Sequence, residues 1–235
     1  MPRFTITGDN DPFLHVSLAR GESISCESGA MVMMEANLDL SGRMQGGFWS
    51  ALTRRLANGE SFFQQHIEAV RGDGDCLLAP TMPGSIAILE VGATQYKISD
   101  GAYLAASSGV QVTAQMQSLG SALFARTGGF FIGQSSGSGQ LAVNGFGTLF
   151  TLEVTADKPV TIDNGHVVAW DSRLNYEPSV TTSRNSGGLL GNLVNSVTSG
   201  EGVVLKFSGN GKVILCSRNS DNFGSWIRSL VGPGS

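Results

Sequence analysis

The 235 residues predict an all-β fold made of three internal repeats. Three observations carry that prediction. A Gly turn feeding a strand occurs three times: Ser28-Gly29-Ala30-Met31-Val32, Asp100-Gly101-Ala102-Tyr103-Leu104 and Asn164-Gly165-His166-Val167-Val168. A Gly-x-Gly turn occurs three times in the same order: Gly72-Asp73-Gly74, Gly137-Ser138-Gly139 and Gly209-Asn210-Gly211. After each Gly turn the apolar residues alternate with period two. Each copy occupies roughly 65–72 residues. Self-similarity at a fixed period signals a repeat architecture, in which one unit cannot bury its apolar face alone.

The alternation runs through Val32, Met34, Ala36, Leu38 and Leu40 in the first copy. In the second it runs through Leu104, Ala106, Val110, Val112, Ala114 and Met116, and in the third through Val168, Trp170, Leu174, Tyr176 and Val180. Each run predicts a strand with one buried and one polar face. Beyond each Gly-x-Gly turn, Cys76 and Leu78, Leu141 and Val143, and Val213 and Leu215 repeat the spacing. Two arms joined by a Gly-rich turn predict a hairpin, because Gly supplies the positive φ such turns require. Bridging strands are expected at 86–91 and 148–154, with Val16-Ser17-Leu18 in the same part for the first copy. The expected organisation is one domain with repeats at about 14–80, 86–145 and 148–218. A short helix over 221–231 follows, capped by Asp221 and stopped by Gly232-Pro233.

Composition agrees. Charged residues are 14%, apolar residues 41%, and Gly accounts for 32 positions. Low charge with many Gly turns suits short connections between strands. Lys and Arg number 15 against 19 Asp and Glu, a net charge of -4, which lacks the basic footprint of a nucleic-acid binder. Cys26, Cys76 and Cys216 are far apart and odd in number, which fits reduced thiols in a cytoplasmic protein. No apolar signal core opens the chain and no run of about 18 apolar residues occurs, so a soluble protein is expected.

Between strand and hairpin the copies carry insertions. Phe48, Leu52 and Leu56 share one helix face beside Trp49, with Arg54 and Arg55 near the helix end. Leu189, Leu193 and Val197 align similarly, beside Leu190 and Val194. These apolar segments either cap the β core or form an interface with other copies of the chain, a protein partner or a membrane surface. Phe48, Trp49, Leu52, Arg54, Arg55, Leu56, Leu189, Leu190, Leu193 and Val194 are the candidate interaction surface.

The stretches Glu27-Ser28-Gly29-Ala30-Met31-Val32, Gly59-Glu60-Ser61-Phe62-Phe63, Gly200-Glu201-Gly202-Val203 and Phe207-Ser208-Gly209-Asn210-Gly211 resemble a widespread family of uncharacterised proteins. Its eukaryotic members are named for altered inheritance of mitochondria. Its domain is described as similar to the tryptophan RNA-binding attenuator protein. The resemblance covers roughly residues 3–231. It implies three repeats about a pseudo-threefold axis, of the double-stranded β-helix type, and supplies no catalytic residues. RNA binding of the attenuator kind would need cations on repeated strand edges, where this chain offers isolated Arg71 and Lys212.

Motifs that could carry chemistry have plainer readings. Gly133-Gln134-Ser135-Ser136-Gly137 matches a nucleophile elbow, but that motif leads into a helix and here a strand follows. His166 has Asp163 and Asp171 nearby in sequence and could form an acid–base pair. It occupies the repeat position of Ala30 and Ala102, so a structural role is preferred. His15 and His66 lack metal-ligand spacing, and Asp73 and Asp75 lack the further oxygens of a calcium loop. Gly209-Asn210-Gly211-Lys212 lacks the remaining parts of a phosphate-binding loop. No cofactor is expected. The leading expectation is a non-enzymatic interaction or scaffold protein, homo-oligomeric and membrane-peripheral. The alternatives are a small-molecule or RNA binding module, and an enzyme using His166.

Overall fold

The computed structural model describes residues 1–42, 64–116, 131–180 and 203–231. The described residues are almost entirely strand. β1 (Arg3–Thr7) opens the chain. A first set follows: β2 (Phe13–Leu18), β3 (Ser23–Glu27), β4 (Met31–Met34), β5 (Leu38–Gly42), β6 (Gln64–Ala69) and β7 (Gly74–Leu78). The second set is β8 (Gly84–Val91), β9 (Tyr96–Ser99), β10 (Tyr103–Ser107), β11 (Val110–Met116), β12 (Phe131–Gly137) and β13 (Gly139–Phe146). The third is β14 (Leu149–Val154), β15 (Val160–Asp163), β16 (Val167–Asp171), β17 (Asn175–Val180), β18 (Val203–Ser208) and β19 (Gly211–Cys216). One helix, α1 (Ser220–Val231), closes the described chain.

The expected Gly-x-Gly turns join β6 to β7, β12 to β13 and β18 to β19. Gly137 shows why glycine is required. Its φ is +87°, and a Cβ there would run into the Gly109 carbonyl oxygen. Cys76, Leu78, Leu141, Val143 and Val213 beyond the turns are fully buried, as their alternation predicts, whereas Leu215 is half-buried and its neighbour Ile214 is buried instead. The Gly turns before β4 and β10 are left-handed at Gly29 (φ +87°) and Gly101 (φ +73°). The third copy differs. Asn164–His166 forms a 3-10 turn, capped by the Asp163 carboxylate accepting from the Gly165 amide.

All strand pairs are antiparallel and fall into four sheets. Their orders are β1-β2-β7-β4, β5-β6-β3-β10-β13-β8, β11-β12-β9-β16-β19-β14 and β15-β18-β17. Within each set the same pairs form: first with last, last with third, second with fifth, and fourth with fifth. Between sets, β10 pairs with β3 and β16 pairs with β9. The pairings of β4 with β7, β10 with β13 and β16 with β19 each shift register at Val32, Leu104 and Val168.

Two expectations about the strands change. The alternating runs expected as single strands after each Gly turn are each two strands. At the first break the Leu38 amide donates to Glu35 O (3.0 Å), and at the third the Leu174 amide donates to Asp171 O (3.0 Å). Each break carries the chain from one sheet to the next, so β4 and β5 lie in different sheets, as do β10 and β11, and β16 and β17. Apolar alternation runs across such a turn: in the first copy Met34 before the break and Leu38 and Leu40 after it all pack on one core. The second change concerns β10 and β16, which are buried on both faces. Each of the two packs against two cores: in β10, Leu104 and Ala105 join the apolar residues of the first set while Tyr103 and Ala106 join those of the second, and in β16, Val168 and Ala169 join the second while Val167 and Trp170 join the third.

Three cores result. The first gathers Leu14, Val16, Ile24, Ile67 and Leu78 with Ile86, Leu104, Ala105 and Ala142 from the second set. The second gathers Ile98, Tyr103, Leu141 and Val143 with Val168, Ala169 and Ile214 from the third. The last contains Trp170, Leu205, Phe207 and Val213. Trp170 packs edge-on to Tyr176 and Phe207 at 5.2 and 5.6 Å between ring centroids.

Helix α1 lies where the sequence predicts, with a different cap. Asn219 Oδ1 accepts from the amides of Asp221 (2.9 Å) and Asn222 (3.2 Å), so Asn219 is the cap and Asp221 sits in the first turn. Both residue types favour either place, and the chain starts its helix one residue earlier.

Candidate functional site

The polar face of the first set meets β11 in a groove of about 490 Å³. Its floor follows from strand register. His66 on β6 stands opposite Ser25 on β3 and Ser41 on β5, and Glu68 stands opposite Ser23. Residues paired across a ladder share a face, so the imidazole, the carboxylate and the hydroxyls form one polar patch. Gln111 and Thr113 of β11 supply the wall. Sequence alone offers no metal-ligand spacing at His66 and singles out none of its neighbours. Their signal was alternation: Ser23 and Ser25 flank buried Ile24 and precede buried Cys26.

Beneath this patch β10 joins β3. The Tyr103 hydroxyl donates to Ser25 O (3.0 Å) and meets the Ser25 hydroxyl at 2.8 Å. Burial drives the Tyr103 phenol well above its usual range, so it remains a neutral donor. Burial and the nearby Asp100 carboxylate also raise Glu27, at the end of β3.

The acid–base arrangement considered for His166 is not assembled. His166 Nδ1 pairs with the Cys216 carbonyl at 2.8 Å. Asp163 is committed to the Gly165 amide at 2.8 Å. Asp171, at the far end of β16, is sealed from solvent and pairs with Arg173 Nη2 at 2.6 Å. Among the described residues no ion pair joins His166 to either carboxylate.

The other motifs resolve into structural roles. Ser135 lies on β12 and is buried, accepting from the Tyr96 amide (2.7 Å) and donating to Gln95 Oε1 (2.9 Å). Asp73 accepts from the Arg20 amide at 2.8 Å, and Asp75 lies 3.5 Å from His15 Nε2. Arg71 pairs with Asp39 at 2.7 Å and Lys212 lies 3.8 Å from Glu153, so both isolated cations face carboxylates.

Cys26, Cys76 and Cys216 are buried and free. Burial pushes the Cys26 and Cys76 thiols up to about 12 and raises Cys216 too, so none is primed as a nucleophile.

The candidate surface from the insertions lies outside the described residues. Phe48, Trp49, Leu52, Arg54, Arg55 and Leu56 fall within 43–63, and Leu189, Leu190, Leu193 and Val194 within 181–202. A different apolar surface is described on α1. Phe223, Trp226, Ile227 and Leu230 recur at helical spacing along one face. Phe223 touches the β body through Phe146, with ring centroids 5.1 Å apart. Trp226 is 56% exposed and Leu230 67%, and no residue of the helix is buried. No helix among the described residues is long and apolar enough to cross a membrane.

Comparison with known proteins agrees with the fold. The chain is 34% identical over 241 residues to an uncharacterised protein of Streptococcus pyogenes serotype M6, covering 99% of this chain and 92% of that one. A crystal structure of a Streptococcus pyogenes protein is similar with a TM-score of 0.82 and 32% identity, covering 98% of this chain and all of that one. The profile of the family described as mitochondrial biogenesis AIM24 matches residues 4–218, and the chain belongs to that family.

Proposed function

We propose that the protein is a non-enzymatic interaction or scaffold protein, homo-oligomeric and membrane-peripheral, that acts by offering apolar surface to other molecules. The observation that supports this reading is α1. A twelve-residue helix holds Trp226, Ile227, Leu230 and Val231 in solvent and is anchored to the body through Phe223. Exposed aromatic and aliphatic side chains grouped on one helix face mark an interaction site more often than a bare surface. A cytoplasmic location belongs to the same proposal and is supported by the three buried, unpaired thiols.

The test is flotation with vesicles of neutral and of anionic phospholipid. Binding that shifts Trp226 fluorescence to the blue, and that Leu230→Asp abolishes, supports the membrane-facing part. Failure to float with both vesicle types rejects it, and the native mass then decides the oligomeric part.

A second reading, of a small-molecule binding module, is favoured by the groove between β6 and β11. An imidazole, a carboxylate and several hydroxyls converge there, and among the described residues no Lys or Arg lines the groove. That lining suits a small polar ligand rather than a phosphate backbone. Screening polar metabolites by thermal shift against wild type and His66→Ala tests it. A ligand that stabilises wild type alone supports the groove, and equal shifts in both proteins reject it.

A further inference from the structure

The strand order contains one six-stranded arrangement made twice and a third time only in halves. One complete sheet joins β5-β6-β3 of the first set to β10-β13-β8 of the second. The other joins β11-β12-β9 of the second set to β16-β19-β14 of the third, strand for strand. What remains is β15-β18-β17 from the third set, and β4-β7-β2 from the first with β1 added beyond. These are the two matching halves of the same arrangement, ending in the open edges β15 and β4.

The side chains agree. Aligning the sets on Gly29, Gly101 and Gly165 places Val32 with Leu104 and Val168, and Met33 with Ala105 and Ala169. In the complete joins these residues pack into the core of the preceding set, Leu104 at 0% exposed and Val168 at 2%. Val32 is 53% exposed and Met33 41%. On the opposite edge, Ile162 aligns with Cys26 and Ile98. Those two are fully buried, whereas Ile162 is half-buried. Open edges with exposed apolar residues are what soluble proteins avoid unless another strand covers them.

We propose that the chain assembles head to tail, with β4 of one copy adding antiparallel to β15 of a second copy. The internal joins set the register. Ala105 stands opposite Cys26 and Ala169 opposite Ile98, so Met33 meets Ile162 and Met34 meets Thr161. The contact is heterologous, using different surfaces on the two copies, and gives a ring when the rotation per copy closes. It is not made within one chain: among the described strands β4 pairs with β7 alone and β15 with β18 alone. The inference rests on the homo-oligomeric reading above and names the surfaces that make the oligomer.

Two measurements on the full chain test it. Light scattering should give the wild type a mass that is a multiple of 24.6 kDa. Val32→Asp should weaken association on the order of 100-fold, because the carboxylate would be buried unpaired where Leu104 is buried. Val32 is exposed in the single chain, so the variant should fold. The double variant Met34→Cys/Thr161→Cys, oxidised under native conditions, should give covalent multimers on a non-reducing gel. A monomeric wild type overturns the edge pairing and leaves α1 to the vesicle test. An oligomer that survives Val32→Asp but dissociates with Trp226→Asp overturns the edge pairing and keeps the interaction reading. A cross-link confined to single chains, or no cross-link, also overturns it.

Discussion

The hydroxyl of Tyr103 meets the hydroxyl of Ser25 at 2.8 Å, across the strand join that ties the second set of strands to the first. The same phenol donates to Ser25 O at 3.0 Å, so one buried side chain serves two groups of β3. Tyr103→Phe removes the donor, fills almost the same volume and leaves the Ser25 carbonyl with one partner fewer. A lost hydrogen bond of this kind costs about 1–2 kcal/mol. Urea unfolding should show that loss, whereas Tyr176→Phe, on a half-buried ring, should change stability by less than about 0.5 kcal/mol. Equal effects would mean that the Tyr103 hydroxyl does not hold the join.

Asp171 and Arg173 supply a second prediction. The carboxylate is buried, and the guanidinium beside it holds it below the usual carboxylate range. Arg173→Gln leaves that charge with a weaker partner and should lower stability at neutral pH. The pH dependence follows from a folded value lower than the unfolded one. The stabilisation is complete above about pH 4, the unfolded value, and is lost as pH falls through the folded value. Denaturation of the two proteins should therefore differ most at pH 7 and converge in acid. A difference that persists at pH 2 would show that packing, rather than charge, is what Arg173 provides.

Much of this fold was legible because its strands are amphipathic and its turns need glycine. The three Gly-x-Gly hairpins could be placed from residues such as Gly137 and the alternation of Leu141 and Val143 beyond it. The strands that join the sets, β3 and β9, and their counterpart β15 in the third set, are not legible in the sequence. They are four or five residues long and sit just before the Gly turns, where an alternation such as Ser23 to Cys26 is too brief to stand out. The burial of both faces of β10 was hidden for another reason. Ala105 and Ser107 are small and not strongly apolar, and only the approach of a neighbouring set makes them interior. The groove was still less legible. Ser25, His66 and Glu68 read as an ordinary solvated face until β11 is brought over them. The apolar insertions that sequence favoured, around Trp49 and Leu190, lie outside the described residues, whereas the apolar face of α1 was present in the predicted helix and went unremarked.

The three cysteines give the last prediction. Cys26 and Cys76 lie in one core, and burial pushes their thiols up to about 12, with the Glu27 and Asp75 carboxylates adding to the shift. At pH 8 both therefore remain protonated thiols. Cys216 is raised by burial as well, and its Sγ donates to Arg218 O at 3.2 Å. Since the thiolate is the nucleophile, a disulfide reagent should leave all three unmodified in the native protein at pH 8. The same reagent should titrate all three rapidly in concentrated urea, where burial is lifted. Reaction at an intermediate rate that follows urea concentration would report global unfolding. Rapid reaction of one thiol in buffer alone would identify a core that opens locally, and Cys76→Ala would show whether it is the first.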